Sequence, residues 1–154
     1  MKTADNEQPA TSNSHGAGWR DGWFVVPHDV IFRDLDAFGH VNNAVFLTYF
    51  EIARTLLWFD VSGGREARDV AFIVARAECD FRLQVGLERI EIRVRFGELR
   101  RTSFDTLYEI RNSGGVLAAT GKVVVVMFDW EKQSKIVISD DLRRRVAECS
   151  LVAS

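Results

Sequence analysis

Cysteine and histidine are scarce in this chain: Cys79 and Cys149 are the only two of the first, and His15, His28 and His40 the only three of the second. The cysteines lack metal-ligand spacing and read as incidental thiols rather than a disulfide framework. The histidines form neither an HxH nor an HExxH pattern, so no protein metal site is expected. Long apolar runs are missing too. The longest, such as Val123 to Phe128, have six residues, against the ~20 that a membrane-spanning helix needs. Nor is there an excess of positive charge. A net charge of −2 argues against a general pull toward nucleic acid or anionic membrane. Residues 1–18 contain no apolar run and so no secretory or anchoring signal. The expected compartment is the cytoplasm, with no metal, redox cofactor, nucleic acid or membrane partner.

What is present is enough for one packed domain: 154 residues, 47% of them hydrophobic and 27% charged. Residues 1–18 are rich in polar and small side chains and predict a disordered tail, leaving 19–154 as a single domain. A strand is expected over 23–33, interrupted at Pro27 and His28 in the manner of an edge or a bulge. From Ala44 to Phe59 the pattern turns helical, with Thr48, Glu51, Arg54 and Thr55 as the clearly polar residues. A helix this apolar must be enclosed nearly all round.

The linker SGGREARD (62–69) follows, then four strand-like runs at about 71–85, 89–97, 103–112 and 116–129. In IEIRVRF (90–96) apolar and charged residues alternate, giving one buried and one polar face. The breaks between runs are too short for crossover helices, so sequence neighbours are expected to pair antiparallel. A last helix is expected over 140–149, with Ser139 or Asp140 as its N-cap. The parts predict an α+β architecture: a curved antiparallel sheet of about five strands wrapped around one central helix. One such sheet leaves helix surface and strand edges uncovered, which self-association would remedy.

The stretch FRDLDAFGHVNNAVFLTYFEIAR (32–54) places two acids, a glycine, a histidine and two asparagines at the mouth of that helix. One reading makes Asp34, Asp36, Asn42 and Asn43 turn formers and caps, with Gly39 supplying a bend. The other is chemical. A helix N-terminus presents unpaired N–H groups and the positive end of a dipole, which can polarise a carbonyl. A carboxylate just upstream could attack the carbonyl carbon or activate water against it.

This motif resembles the opening of the hotdog-fold acyl-CoA thioesterases related to 4-hydroxybenzoyl-CoA thioesterase. Their pattern is a strand ending in Asp-x-Asp-x-x-Gly, a loop with His-Val-Asn-Asn in many members, and an aromatic-rich helix carrying Glu-x-x-Arg. Here these are Asp34, Asp36, Gly39, His40 to Asn43, and Glu51 with Arg54. RRTSF (100–104) and residues 119–146 look like the family's later strands and C-terminal helix.

The resemblance implies hydrolysis of acyl-CoA thioesters, with Asp36 as the catalytic carboxylate and the N–H of Asn43 polarising the carbonyl. It places His40 and Asn42 between them, to orient the loop or contact the thioester. Asp34 is assigned to the turn. Glu51 and Arg54 could equally form a structural ion pair; some members put the catalytic acid on the helix, which leaves Glu51 a residual claim. The acyl pocket is expected from Phe46, Tyr49, Phe50 and the 71–77 strand.

Adjacent Arg100 and Arg101, with Thr102 and Ser103, could hold phosphates of coenzyme A, or form a solvated charged turn. The family's habit of building sites from two chains implies a homodimer or homotetramer with the site at a subunit interface.

Three competing readings remain. A hotdog dehydratase would carry Pro-Gly five residues after its histidine, and His40 is followed by VNNAVF. A non-catalytic acyl-CoA or acyl-carrier-protein binding module would share the fold without needing Asp36. Nucleic-acid binding through the arginine-bearing strands has no supporting aromatic motif.

Overall fold

Period-two alternation dominates the chain after residue 70, and in the computed structural model, which describes residues 16–152, it becomes most of a sheet. The strands are β1 (Gly18–Arg20), β2 (Trp23–Asp29), β3 (Phe72–Phe81), β4 (Arg89–Leu99), β5 (Ser103–Arg111), β6 (Leu117–Asp129) and the two-residue β7 (Ser134–Lys135). Helix α1 spans Asn43–Ser62 and α2 spans Asp140–Val152. The main sheet order is β1-β2-β4-β5-β6-β3, antiparallel throughout, with β7 paired to the far end of β6.

Five longer strands form the body of the sheet, and α1 lies against it. Of the expected tail, Gly16 to Gly18 are described, Gly18 already belongs to β1, and the rest lies outside the described residues. The strand expected over 23–33 stops at Asp29, followed by a 3-10 turn at Phe32–Asp34. Pro27 stands beyond the last pairing with β1, so its missing N–H falls on an open edge.

One pairing differs from expectation. The β4–β5 and β5–β6 neighbours are antiparallel hairpins, but β3 pairs with β6 and not with β4. The connection 82–88 therefore passes two strands, a step of three inter-strand spacings or ~14 Å. Seven extended residues reach ~23 Å, so no crossover helix is required.

The helix meets the sheet closely because position 121 has no side chain. A Cβ on Gly121 would lie 2.3 Å from the Phe50 ring, which is itself stacked on Tyr108 at 4.2 Å. Phe46, Tyr49, Phe50, Ala53, Leu57, Trp58 and Val61 are buried from the helix side. Burying each of the larger of these side chains contributes about 1.5–3 kcal/mol. Enclosure is not complete: Leu47, Thr48 and Glu51 remain exposed along one stripe.

Arg54 goes the other way. It is 6% exposed, donates to the Tyr108 hydroxyl at 3.1 Å and lies 5.8 Å from the Phe72 ring centroid. No ion pair joins it to Glu51 among the described residues, so the pair suggested by their spacing does not form. The guanidinium takes its partners on the core side of the helix, while Glu51 faces solvent.

Candidate active site

The chain between β2 and α1 is folded on itself by its own polar groups. Asp36 N–H donates to the His40 carbonyl at 2.7 Å, and Leu35 bridges to Val41. Asp36 Oδ1 accepts the N–H groups of Phe38 (2.8 Å) and His40 (3.2 Å). Gly39, at φ 79°, closes the turn and donates its N–H to the Asp36 carbonyl at 3.1 Å; a side chain there would strain the backbone. The turn-former reading of these residues is thus correct in geometry. It leaves one thing over: among the described residues the second carboxylate oxygen of Asp36, Oδ2, has no hydrogen-bond partner.

Asn42 is the N-cap of α1, its Oδ1 accepting Ala44 N–H at 3.0 Å. Asn43 is the first helical residue. Its N–H has no acceptor in its own helix, and it stands at the positive end of a 20-residue dipole. Asp36, His40 and Asn43 line a single cavity of about 370 Å³ together with Phe38, Val41, Phe46, Phe81, Arg82, Leu83, Gln84 and Val85. The cavity is thus lined by the residue with the free carboxylate oxygen, the residue with the unused N–H and several apolar side chains.

The far wall comes from residues that the sequence pattern assigned to a strand. Residues 82–85 leave the sheet: Arg82 and Leu83 N–H donate to the Ala118 carbonyl (2.8 and 3.0 Å), and the Val85 carbonyl accepts Val41 N–H at 2.8 Å. Of the expected acyl pocket only Phe46 is at the cavity, in edge contact with Phe81 at 5.2 Å. Tyr49 and Phe50 are core residues, and Val74 to Glu78 are exposed on the open edge of the sheet. The alternating pattern through 81–85 hid where β3 ends.

Asp34 is more than a turn former. Its Oδ2 accepts the Tyr49 hydroxyl at 2.8 Å and the Ile31 N–H at 3.2 Å, and its carbonyl accepts Asn42 N–H at 2.9 Å. Burial, reinforced by the Asp34 carboxylate, pushes the Tyr49 phenol far above its usual range, so it stays a donor. His28 packs on the Tyr49 ring at 4.9 Å, and burial lowers its pKa against the opposing pull of Asp34 and Asp29.

Arg100, Arg101 and Ser103 are elsewhere. Ser103 pairs with Val126 near the Phe72 end of β3, whereas the cavity adjoins Phe81 at the other end. Arg100 grips Asp105 through both oxygens (2.8 and 3.1 Å) and reaches Glu98 at 2.8 Å. Lys122 adds a 3.0 Å contact to Asp105. The Arg100 guanidinium, more than any other group, holds the Asp105 carboxyl below the usual range. Arg101 is exposed, and its side chain makes no ion pair or hydrogen bond among the described residues. Among those residues no cluster of histidine, cysteine, aspartate and glutamate could hold a metal ion, and no helix is long and apolar enough to cross a membrane.

Comparison with known proteins bears on the fold and the family. A thioesterase of Thermus thermophilus, solved with coenzyme A and zinc, is 32% identical, with a TM-score of 0.73 over 82% of this chain and 92% of that one. A protein of Pseudomonas aeruginosa strain PAO1 is 25% identical, with a TM-score of 0.71 over 86% of this chain and 96% of its own. The YsmA protein of Bacillus subtilis (strain 168) is 29% identical over 125 residues, 80% of this chain and 85% of that protein. The sheet wrapped on a central helix is the hotdog fold, shared with the Thermus thioesterase. The family model of the thioesterase-like superfamily matches residues 30–146, from just before the Asp36 turn into α2, and the chain belongs to that superfamily.

Proposed function

We propose that the cavity at the mouth of α1 hydrolyses acyl-CoA thioesters, releasing a carboxylic acid and free coenzyme A. One observation carries the reading: Asp36 and Asn43 line the same cavity, the first with a free carboxylate oxygen and the second with a free N–H. A thioester carbonyl is weakly stabilised by resonance, so a carboxylate or carboxylate-activated water can attack it once the oxyanion has a donor. The Asn43 N–H is that donor. In the nucleophilic route, Asp36 Oδ2 bonds to the carbonyl carbon and the C–S bond breaks. The thiolate leaves and takes a proton, and water then opens the mixed anhydride. In the base route, Asp36 takes a proton from water as its oxygen adds to the carbon, and that proton passes to the departing sulfur. Phe46, Phe81, Leu83 and Val41 suit an apolar acyl group. Coenzyme A as the carrier is supported by its presence in the similar Thermus protein.

Self-association completes the proposal. Among the described residues β3 has one partner, β6, and residues 74–78 are exposed on both faces. Two copies joined antiparallel along β3 would set the Phe72 end of one beside the Phe81 end of the other. That brings the Arg100–Ser103 turn of one copy toward the cavity of the next, with exposed Arg101 available to a coenzyme A phosphate. The working unit is then a homodimer or a homotetramer.

The test is release of free thiol from short, long, branched and aromatic acyl-CoAs by the purified chain, with light scattering on the same sample. Hydrolysis of at least one substrate by a species of two or four chains is expected. No turnover across the panel would refute the hydrolase and leave a binding module. A stable 17.5 kDa species at micromolar concentration would refute the shared site.

A further inference from the structure

Tyr49 does not line the cavity that holds Asp36, yet it is joined to that cavity's geometry. The segment from Asp34 to Asn42 is closed at both ends on α1. At one end Asn42 runs covalently into the helix and donates its N–H to the Asp34 carbonyl at 2.9 Å. At the other, the Asp34 carboxylate is held by the Tyr49 hydroxyl at 2.8 Å, two turns along the same helix. Asp36 lies inside this closure and Asn43 just beyond it.

We propose that Tyr49 is a positioning residue: its hydroxyl, acting through Asp34, fixes where the Asp36 carboxylate stands relative to the Asn43 N–H. The inference rests on the hydrolase reading of the cavity. Core filling alone does not account for the hydroxyl. The ring is 1% exposed and packs on His28 and Phe46, which a phenylalanine would do equally well. A buried hydroxyl costs stability unless it is bonded, and here its bond goes to the acid that closes the catalytic loop. Displacement of a reacting group by about 1 Å is enough to slow a reaction by about 10²-fold.

Tyr49→Phe removes one oxygen and keeps the ring, so the variant is expected to fold. Its kcat on the best acyl-CoA is expected to fall about tenfold with KM within about twofold, the pattern of an interaction made in the transition state. Asp34→Ala is expected to fall at least as far. The double variant is expected to be no slower than Asp34→Ala alone, because both changes remove the same link. Wild-type kcat in Tyr49→Phe would overturn the proposal, as would a rise in KM at constant kcat or multiplicative effects in the double variant. Asp36→Asn belongs in the same series. If it is inactive while Tyr49→Phe runs at full speed, only the brace fails; if it turns over fully, the reading of the cavity fails first.

Discussion

The helix mouth and the Arg100 turn lie at opposite ends of one sheet, and each holds an aspartate. Asp105 is 3% exposed, and its two oxygens are occupied by Arg100 and Lys122. Asp36 is only half-buried and lines a cavity; its backbone donors occupy one oxygen and leave the other without a partner among the described residues. The first acid is a finished structural contact. The second has capacity left over, and it sits beside a helix N–H in the same condition. What marks the candidate site is an unsatisfied group at a cavity, and the density of charge singles out the other end instead: the arginine-rich end has more of it and is largely neutralised within itself.

The contrast can be broken from the structural side first. Asp105→Asn takes from Lys122 its carboxylate partner and leaves Arg100 with Glu98 alone. Loss of charged hydrogen bonds worth about 2 kcal/mol should lower Tm by roughly 4–8 °C with kcat unchanged. The sign of the pH dependence follows from the depressed carboxyl. Its stabilisation is present above the ordinary value of 3.8 and is lost as pH falls through the lower folded value. Melts taken from pH 7 downward should therefore show the wild-type and variant curves converging below about pH 4. Convergence at higher pH, or none, would separate the stability difference from this ion pair.

A smaller effect is expected from Asn42→Ala at the helix mouth. Loss of the cap on Ala44 costs about 1 kcal/mol, or roughly 2–4 °C in Tm. Here turnover should fall as well, because the Asn43 N–H belongs to the same turn. An effect on Tm without one on kcat would show that the helix mouth is structural like the other end. The smallest change belongs to Arg101→Ala. With no side-chain partner among the described residues to lose, it should raise KM for acyl-CoA a few-fold at unchanged Tm, more visibly at low salt. Equal KM values in the two proteins would remove Arg101 from the coenzyme A site.

These differences were unequally legible in the sequence. The helix expected over 44–59 is Asn43–Ser62, and the four downstream strands lie within a few residues of their expected spans, apart from the early end of β3. Periodicity reports local exposure. It does not report partners. A seven-residue connection serves a hairpin or a step across the sheet equally well, so the β3–β6 pairing was hidden. Strand β1 has three residues beside a polar segment and left no pattern to find.

Asp36, His40 and Asn43 stood out in the sequence because their residue types cluster in one short stretch, and in the structure they line one cavity. The wall at 82–85 did not, since its alternation imitates a strand. The Asp34–Tyr49 bond was hidden for a different reason: it joins an apparent turn former to a residue that looks like core, fifteen positions away. Glu51 and Arg54 had the spacing of an ion pair, but the buried Tyr108 hydroxyl offered the guanidinium a partner that spacing cannot reveal.

The central claim is that the free oxygen of Asp36 does the chemistry. It is tested most directly by measuring kcat, KM and Tm of Asp36→Asn beside wild type, on the acyl-CoA that wild type hydrolyses best. The substitution removes the charge and nearly keeps the shape. The account predicts a folded protein, KM little changed and kcat lower by at least about 10²-fold. Full turnover by a folded Asp36→Asn variant would contradict it, and Glu51, on the exposed stripe of α1, would be the next acid to examine.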